Sequence, residues 1–184
     1  MRSIFFLLKK IWPAIVMFLI LTLAFYAYVD SEKQVKHTYH QRLNAINLAN
    51  GLRQSSDELT RMVRTYVVTG DLRFKEYFQE ILDMRNGVKP RPAQDSFIYW
   101  DFVVAGIQLS HSGDRQKISL LELMQRSGFT DLEFDKMQES KALSDNLTEL
   151  EFGAMKLVEA KDHPNIESAR AKAIQMLHDE NYHQ

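Results

Sequence analysis

This chain has two parts with different patterns of apolar and polar residues: a continuous apolar run near the N-terminus and a longer amphipathic region after it. Residues 11–29 read IWPAIVMFLILTLAFYAYV and contain no charged side chain. A helix needs about 20 apolar residues to cross the hydrocarbon core of a bilayer, so this run is long enough to span a membrane. Beyond it, apolar residues recur at steps of three and four, the period of an amphipathic α-helix. The pattern predicts an all-α protein, in which an N-terminal transmembrane helix continues into a helical bundle with two long helices.

The charges on either side of the apolar run predict its orientation. A lysine pair at 9–10 precedes the run and Asp30 follows it. Because basic flanks stay in the cytoplasm, we expect the N-terminus inside and the rest of the chain outside. The alternative is a cleaved signal peptide, but its apolar region would be about 7–15 residues long and would end in small residues. The predicted divisions are a cytoplasmic tail at 1–10, a transmembrane helix at 11–29 and an extracytoplasmic domain at 30–184.

The first amphipathic segment predicts a long helix in line with the apolar run. Neither Pro nor Gly interrupts residues 30–50. The helix should end at Gly70-Asp71, since Gly readily adopts the left-handed conformation that closes a helix. Its heptad-like seam consists of Ala45, Leu48, Leu52, Ser55, Leu59, Met62 and Tyr66.

Shorter elements are predicted next. A helix should run from Leu72 to Met84, and its apolar face comprises Phe74, Tyr77, Phe78, Ile81 and Leu82. The prolines in residues 89–92 favour extended chain, and we interpret residues 93–114 as an irregular segment. A short helix is then expected over Ile118 to Arg126, closed by Gly128.

The second long helix begins at a capping box. Thr130 and Glu133 have the spacing at which each side chain can bond the backbone of the other. The helix should extend to about Lys161, with a seam of Leu143, Leu147, Leu150, Ala154 and Leu157. A further amphipathic helix is predicted from Ile166 to Leu177, with Ile166, Ala169, Ala173 and Leu177 on its apolar face. Residues 179–184 resemble the start of another helix, so we expect the sequence to be truncated at this end.

Composition excludes several classes of function. The formal net charge is −1 and there is no basic stripe, which argues against a nucleic-acid partner. The chain has no cysteine, so disulfides, thiolate metal sites and a cysteine nucleophile are excluded. His37 and His40 have a spacing that can bind a metal, but two histidines without a third ligand favour a solvated helix face. No catalytic motif is recognisable, and we predict neither an enzyme nor a cofactor.

Several stretches of the sequence are familiar in combination. They are SSDELTRMVRTYVVTGD at 55–71, ILDMRNGVKPRP at 81–92, YWD at 99–101, SLLELM at 119–124, and SDNL at 144–147 with the residues up to Met155. Together they resemble the N-terminal sensor region of bacterial membrane receptors. These receptors are chiefly sensor histidine kinases, including hybrid ones, with some diguanylate cyclases and chemotaxis-type receptors. The similarity covers most of residues 45–184.

The resemblance implies a place in a signalling pathway such as a two-component system, at the bacterial inner membrane. Receptors of this kind usually carry a second membrane span and a cytoplasmic output module, and this sequence contains neither. It also lacks a phospho-accepting histidine motif and a glycine-rich ATP site, so kinase activity cannot be assigned to these residues.

Two groups of side chains are candidates for a ligand site. Arg61 and Arg64 lie near the predicted end of the first long helix, where guanidinium groups could bind a carboxylate or phosphate. Tyr99, Trp100 and Asp101 follow the proline-rich stretch, and aromatic rings with a carboxylate could hold a cationic or cyclic ligand. The alternatives are that the arginines pair with neighbouring carboxylates and that the rings are core.

Three hypotheses for function follow. The first is a sensor domain that detects a small ligand or a periplasmic protein partner and passes a conformational signal through the membrane helix. The second is a ligand-free, membrane-anchored helical domain that serves dimerisation or structure. The third, a periplasmic enzyme, is disfavoured by the absent motifs. We expect a homodimer associated with the membrane.

Overall fold

The computed structural model describes residues 2–92, 98–107, 116–160 and 166–179, with side chains from residue 11 onward except that of residue 37. Within those ranges the regular structure is entirely helical, which confirms the all-α prediction. The helices are α1 Arg2–Thr69, α2 Leu72–Arg85, α3 Tyr99–Val104, α4 Leu120–Arg126, α5 Asp131–Glu159 and α6 Ile166–Met176.

The apolar run lies in α1, a helix of 68 residues. From Ile11 onward this helix is long and apolar enough near the N-terminus to cross a membrane. Large side chains such as Phe18 and Leu23 are exposed there, as expected for groups that face lipid. The orientation of the helix in a membrane stays a prediction.

Two compact units make up the chain, Met1–Asn44 and Ala45–Gln184. The first contains the apolar part of α1. The second begins within α1 and contains the tertiary core. The predicted divisions at residues 10 and 29 concern membrane topology and stay predictions.

The larger apolar core of the second unit is built by α1, α2, α3, α5 and α6. Its largest fully buried side chains include Phe78 and Met155, and Phe78 packs edge-to-face on Phe152 with ring centroids 5.3 Å apart. The predicted seam of α1 and the predicted apolar face of α2 both supply this core. The buried members are Leu59, Met62, Val63, Tyr66, Val67, Phe78, Ile81, Leu82, Met84, Tyr99, Trp100, Ala154, Met155, Ala173 and Leu177.

A second, smaller apolar core lies around an earlier part of α1. Leu48 and Leu52 of α1 are buried there with Leu120 and Met124 of α4. Partly buried side chains from α4 and α5, among them Phe134, pack against it. α1 therefore contributes successive stretches of one seam to two separate cores.

Glycine and capping residues end and begin the helices as predicted. Gly70 follows α1 and Gly128 follows α4, each with a positive φ near 75° that favours glycine. The Thr130 hydroxyl accepts a hydrogen bond from the Glu133 N–H, and the Glu133 carboxylate accepts one from the Thr130 N–H. This confirms the capping box at the start of α5.

Three sequence predictions are wrong. Leu143 and Leu150 are exposed, because α5 turns Ser144, Thr148 and Glu151 inward instead. Ile166 is exposed although it is the first residue of the predicted apolar face of α6.

The residues from Tyr99 to Val104 form the helix α3, where we expected irregular chain, because Tyr99 and Trp100 are buried in the core. Residues 180–184, expected to start a further helix, lie outside the described residues.

Candidate functional site

Two of the predicted site residues meet directly. Arg61 on α1 donates from Nη1 to Oδ1 of Asp101 on α3, at 2.7 Å. The same guanidinium donates from Nε to Oε2 of Glu58, one turn earlier on α1, also at 2.7 Å. The pairing joins residues 40 positions apart in the sequence, and Asp101 is more than half exposed. Arg61 thus holds α3 against α1 at the surface.

Glu58 is the less exposed carboxylate of this group. Burial raises the pKa of Glu58 above its usual value, and the hydrogen bond from Arg61 opposes that shift. The negative charges of Asp101 and Asp57 add to the rise. The group therefore contains two carboxylates of different environment around one guanidinium.

Tyr99 and Trp100 are both buried in the larger core. Their ring centroids lie 5.2 Å apart in an edge-to-face arrangement, and the Trp100 ring lies 5.9 Å from that of Tyr77. Such aromatic contacts add to the stabilisation from apolar burial. Burial also raises the pKa of Tyr99, with a contribution from the charge of Glu80. These rings anchor α3 to α2, as the alternative interpretation of the sequence expected.

Arg64 contacts a different element. Its Nη2 donates to the backbone carbonyl of Leu177, just after the end of α6, at 2.7 Å. A cation near the last carbonyls of a helix satisfies an acceptor left over by the helix and interacts favourably with the helix dipole. The two predicted arginines therefore fasten α3 and α6, respectively, to the same part of α1.

Two further arginines, one near each end of α2, differ sharply in burial. Arg73 pairs with Asp71, the residue that caps α2, at 2.6 Å on the surface. Arg85 at the end of α2 has a side chain only 1% exposed. A charged side chain is almost never fully buried unless it is paired, so its surroundings carry information.

Arg85 is the centre of a buried hydrogen-bonding cluster that the sequence analysis missed. Its Nη1 donates to the hydroxyl of Ser144 and its Nη2 to Oδ1 of Asp145, both at 2.8 Å. The Ser144 hydroxyl donates in turn to the hydroxyl of Ser56 on α1, at 2.9 Å. One chain of hydrogen bonds therefore connects α2, α5 and α1.

A second contact between α1 and α5 lies beside this chain. The hydroxyl of Thr60 donates to Oε1 of Glu151, at 3.1 Å, and Glu151 is itself buried. Burial lowers the pKa of Arg85 from its ordinary value, while the charges of Asp145 and Glu151 raise it. The buried guanidinium is thus compensated by two carboxylates, one at the surface and one inside.

We call this group the polar layer; it consists of Ser56, Thr60, Arg85, Ser144, Thr148 and Glu151. On α1, Ser56 lies between Leu52 of the smaller core and Leu59 of the larger core, and Thr60 directly follows Leu59. On α5 its members occupy positions i, i+4 and i+7, which share one helix face. That spacing of Ser, Thr and Glu, opposite a serine and threonine at i and i+4 on α1, is the signal by which it could have been found.

Metal binding has no support in the described part of the chain. Among those residues no group of three histidine, aspartate or glutamate side chains could hold a metal ion. The side chain of His37, one half of the weak histidine pair, lies outside the described side chains.

Comparisons with protein-family models, with curated proteins and with solved structures gave no match.

Proposed function

We propose that this chain is the sensor domain of a bacterial membrane receptor, with its N-terminus in the cytoplasm and its second unit outside the inner membrane. The observation that carries the proposal is α1. A single helix contains both a segment long and apolar enough to span a membrane and the seam of the two cores. A change in core packing that displaces this helix is passed along its backbone, because helical hydrogen bonds make it a stiff element.

The surface at Arg61 and Asp101 is the proposed place of ligand binding. An ion pair between exposed groups contributes about 0–1 kcal/mol, so a ligand can replace it at little cost. A ligand with a carboxylate or phosphate would compete with Asp101 for the guanidinium, which binds such groups bidentately. Release of Asp101 would loosen α3 from α1 while Trp100 stays anchored in the core. The ligand needs to favour one of two arrangements by only a few kcal/mol to shift the output.

The receptor is proposed to be a homodimer whose output module is a histidine kinase. Support comes from the sequence resemblance described above and from the helical architecture. The chain itself is proposed to have no enzymatic activity.

The test uses a complete receptor that contains this domain. Asp101→Ala and Arg61→Ala are introduced singly, and the signalling response is measured together with thermal unfolding. We expect both variants to lose or weaken the response with unchanged melting. Glu139→Ala is the matched control, since Glu139 is also an exposed carboxylate paired with a cation, Lys136, but lies on α5. Normal responses in both variants would reject the Arg61 and Asp101 surface as the ligand site.

A ligand-free dimerisation domain is the second candidate. It is favoured by the way Arg61, Arg64 and Trp100 all find partners within the chain. A thermal-shift screen of the full chain against carboxylate and phosphate compounds separates the two. Stabilisation that is lost in Arg61→Ala supports sensing, whereas no stabilisation by any compound supports the dimerisation domain.

A further inference from the structure

The polar layer is costly for stability, which raises the question of what it does. Moving charges out of water carries a desolvation cost of several kcal/mol per ion, and replacement of a buried ion pair by apolar residues is often neutral or stabilising. Here the guanidinium of Arg85 is buried and its Nε has no hydrogen-bond partner within the described residues. Apolar side chains at these positions would join the two cores into one.

The hydrogen bonds of the polar layer are directional, so they specify how neighbouring helices are aligned along their axes. Apolar contacts are non-directional, so apolar faces by themselves specify the alignment of two helices less strictly. Each hydrogen bond of the polar layer, in contrast, needs a donor and an acceptor within about 3.2 Å. Arg85 to Ser144 and Ser144 to Ser56 fix α2 on α5 and α5 on α1 at one alignment, and Thr60 to Glu151 repeats the constraint one turn on.

We propose that the polar layer is a register lock, which sets the axial alignment of α5 and α2 on α1 rather than the stability of the fold. A slip of one helical turn, about 5.4 Å, would separate every one of these donors from its acceptor. It would leave buried groups without partners, at about 1–3 kcal/mol each. The lock therefore makes α1 move together with α5 and α2.

The position of the polar layer suits it to couple movements of α3 and α6 to the earlier part of α1. It adjoins both the smaller core, which contains Leu48 and Leu52 of α1, and the larger core, which contains Tyr99 and Trp100 of α3. Besides the backbone of α1 itself, the polar layer is thus a route by which a rearrangement at α3 and α6 reaches the earlier part of α1. This coupling role rests on the proposed sensing function, whereas the register role does not.

The experiment measures distances between α1 and α5 in the full chain in lipid nanodiscs. Because the sequence has no cysteine, Arg53→Cys on α1 and Asn146→Cys on α5 provide two spin-label sites, both at exposed positions. Pulsed electron–electron double resonance then gives the distribution of distances between the two spin labels. With the native layer we expect one narrow distribution.

An apolar-layer variant removes the whole lock. It carries six substitutions: Ser56→Ala, Thr60→Val, Arg85→Met, Ser144→Ala, Thr148→Val and Glu151→Met. Its melting temperature should equal or exceed that of the parent, because no buried charge is left uncompensated. Its distance distribution should broaden or gain a second population displaced by about one turn, 5.4 Å.

Ser144→Ala is the second variant, in case the first does not fold. It deletes the hydroxyl that connects Arg85 with Ser56 and changes side-chain volume little. Ser55→Ala is its matched control, since the Ser55 hydroxyl donates to Leu52 within the same helix and spans no interface. A broadened distribution in Ser144→Ala but not in Ser55→Ala supports the lock. An unchanged narrow distribution in Ser144→Ala overturns it, as does a narrow distribution in a folded apolar-layer variant.

The coupling role is tested separately in a complete receptor. The apolar-layer variant should lose its response to an established stimulus although the purified chain stays folded. A retained response would overturn coupling through the layer. If the native receptor responds to no stimulus, the sensing proposal fails and the distance measurements still decide the register role.

Discussion

Arg85 and Arg73 lie at opposite ends of α2 and show how burial changes the meaning of a charge. Arg85 is enclosed with Ser144 and Glu151 nearby, whereas Arg73 is exposed beside Asp71. We predict that Arg85→Ala lowers the free energy of unfolding by about 3 kcal/mol, because it removes the positive charge near the buried Glu151 and the donor to the buried Ser144 hydroxyl. Arg73→Ala is the control and should change the urea midpoint little. Equal, small effects of both substitutions would contradict the buried pairing.

Glu58 and Glu139 should respond to pH in opposite directions. The pKa of Glu58 is raised by burial, so its favourable contribution is present below about 4.5 and is lost as pH rises through the raised pKa. The pKa of Glu139 is lowered by its bond to Lys136, so its contribution is present above about 4.5 and is lost as pH falls through the lowered pKa.

Chemical unfolding at several pH values between about 3 and about 7 tests this pair. Glu58→Gln should remove part of the loss of stability as pH rises. Glu139→Gln should instead remove part of the loss as pH falls. The same sign of change in both variants would rule out burial as the dominant effect on Glu58.

At the scale of elements, two glycines have almost the same positive φ but different surroundings. Comparing them separates the cost of a left-handed backbone from the cost of steric overlap. Gly87 follows α2 with φ +77° and Gly106 follows α3 with φ +76°. A Cβ at Gly87 would lie 2.7 Å from the carbonyl carbon of Ile118 and closer still to the nitrogen of Ser119. A Cβ at Gly106 would meet nothing within 4 Å among the described residues.

We therefore predict unequal costs for alanine at the two positions. Gly106→Ala should lower the free energy of unfolding by about 1 kcal/mol, the cost of a left-handed conformation for an L-residue. Gly87→Ala should cost more than about 2 kcal/mol, because overpacking adds about 1–3 kcal/mol. Differential scanning calorimetry of the two variants checks this, and equal shifts in melting temperature would contradict the close approach of residues 118–119 to the end of α2.

At the scale of the whole molecule, the main prediction concerns topology. A reporter fused after Gln184 should be active outside the cytoplasm, because the lysine pair at 9–10 retains the N-terminus inside. Substituting both lysines with Glu should reduce the fraction of chains in that orientation. Cytoplasmic reporter activity for the unsubstituted fusion would contradict the assignment and, with it, the proposal of an external sensor.

Local features were predictable from the sequence because they depend on neighbouring residues. The turn at Gly70, the capping box at Thr130 and the apolar face of α2 each follow from interactions over a few positions, and the structure confirms them. The membrane-length segment is likewise a property of composition over one continuous stretch. Of the five predicted site residues, Arg61 and Asp101 are in fact neighbours, although 40 positions separate them.

What the tertiary structure decided is the inward face of α5 and the pairing across helices. Leucines at heptad spacing predicted Leu143 and Leu150 as core, but a buried Arg85 on α2 requires hydrogen-bond acceptors. Turning Ser144 toward Arg85 gives its Nη1 an acceptor and leaves those leucines outside. Periodicity describes one helix at a time, whereas the cost of an uncompensated buried charge depends on the helix opposite. The sequence by itself therefore determined the helices other than α3 and their approximate ends, whereas the packing of the helices determined α3 and the polar layer.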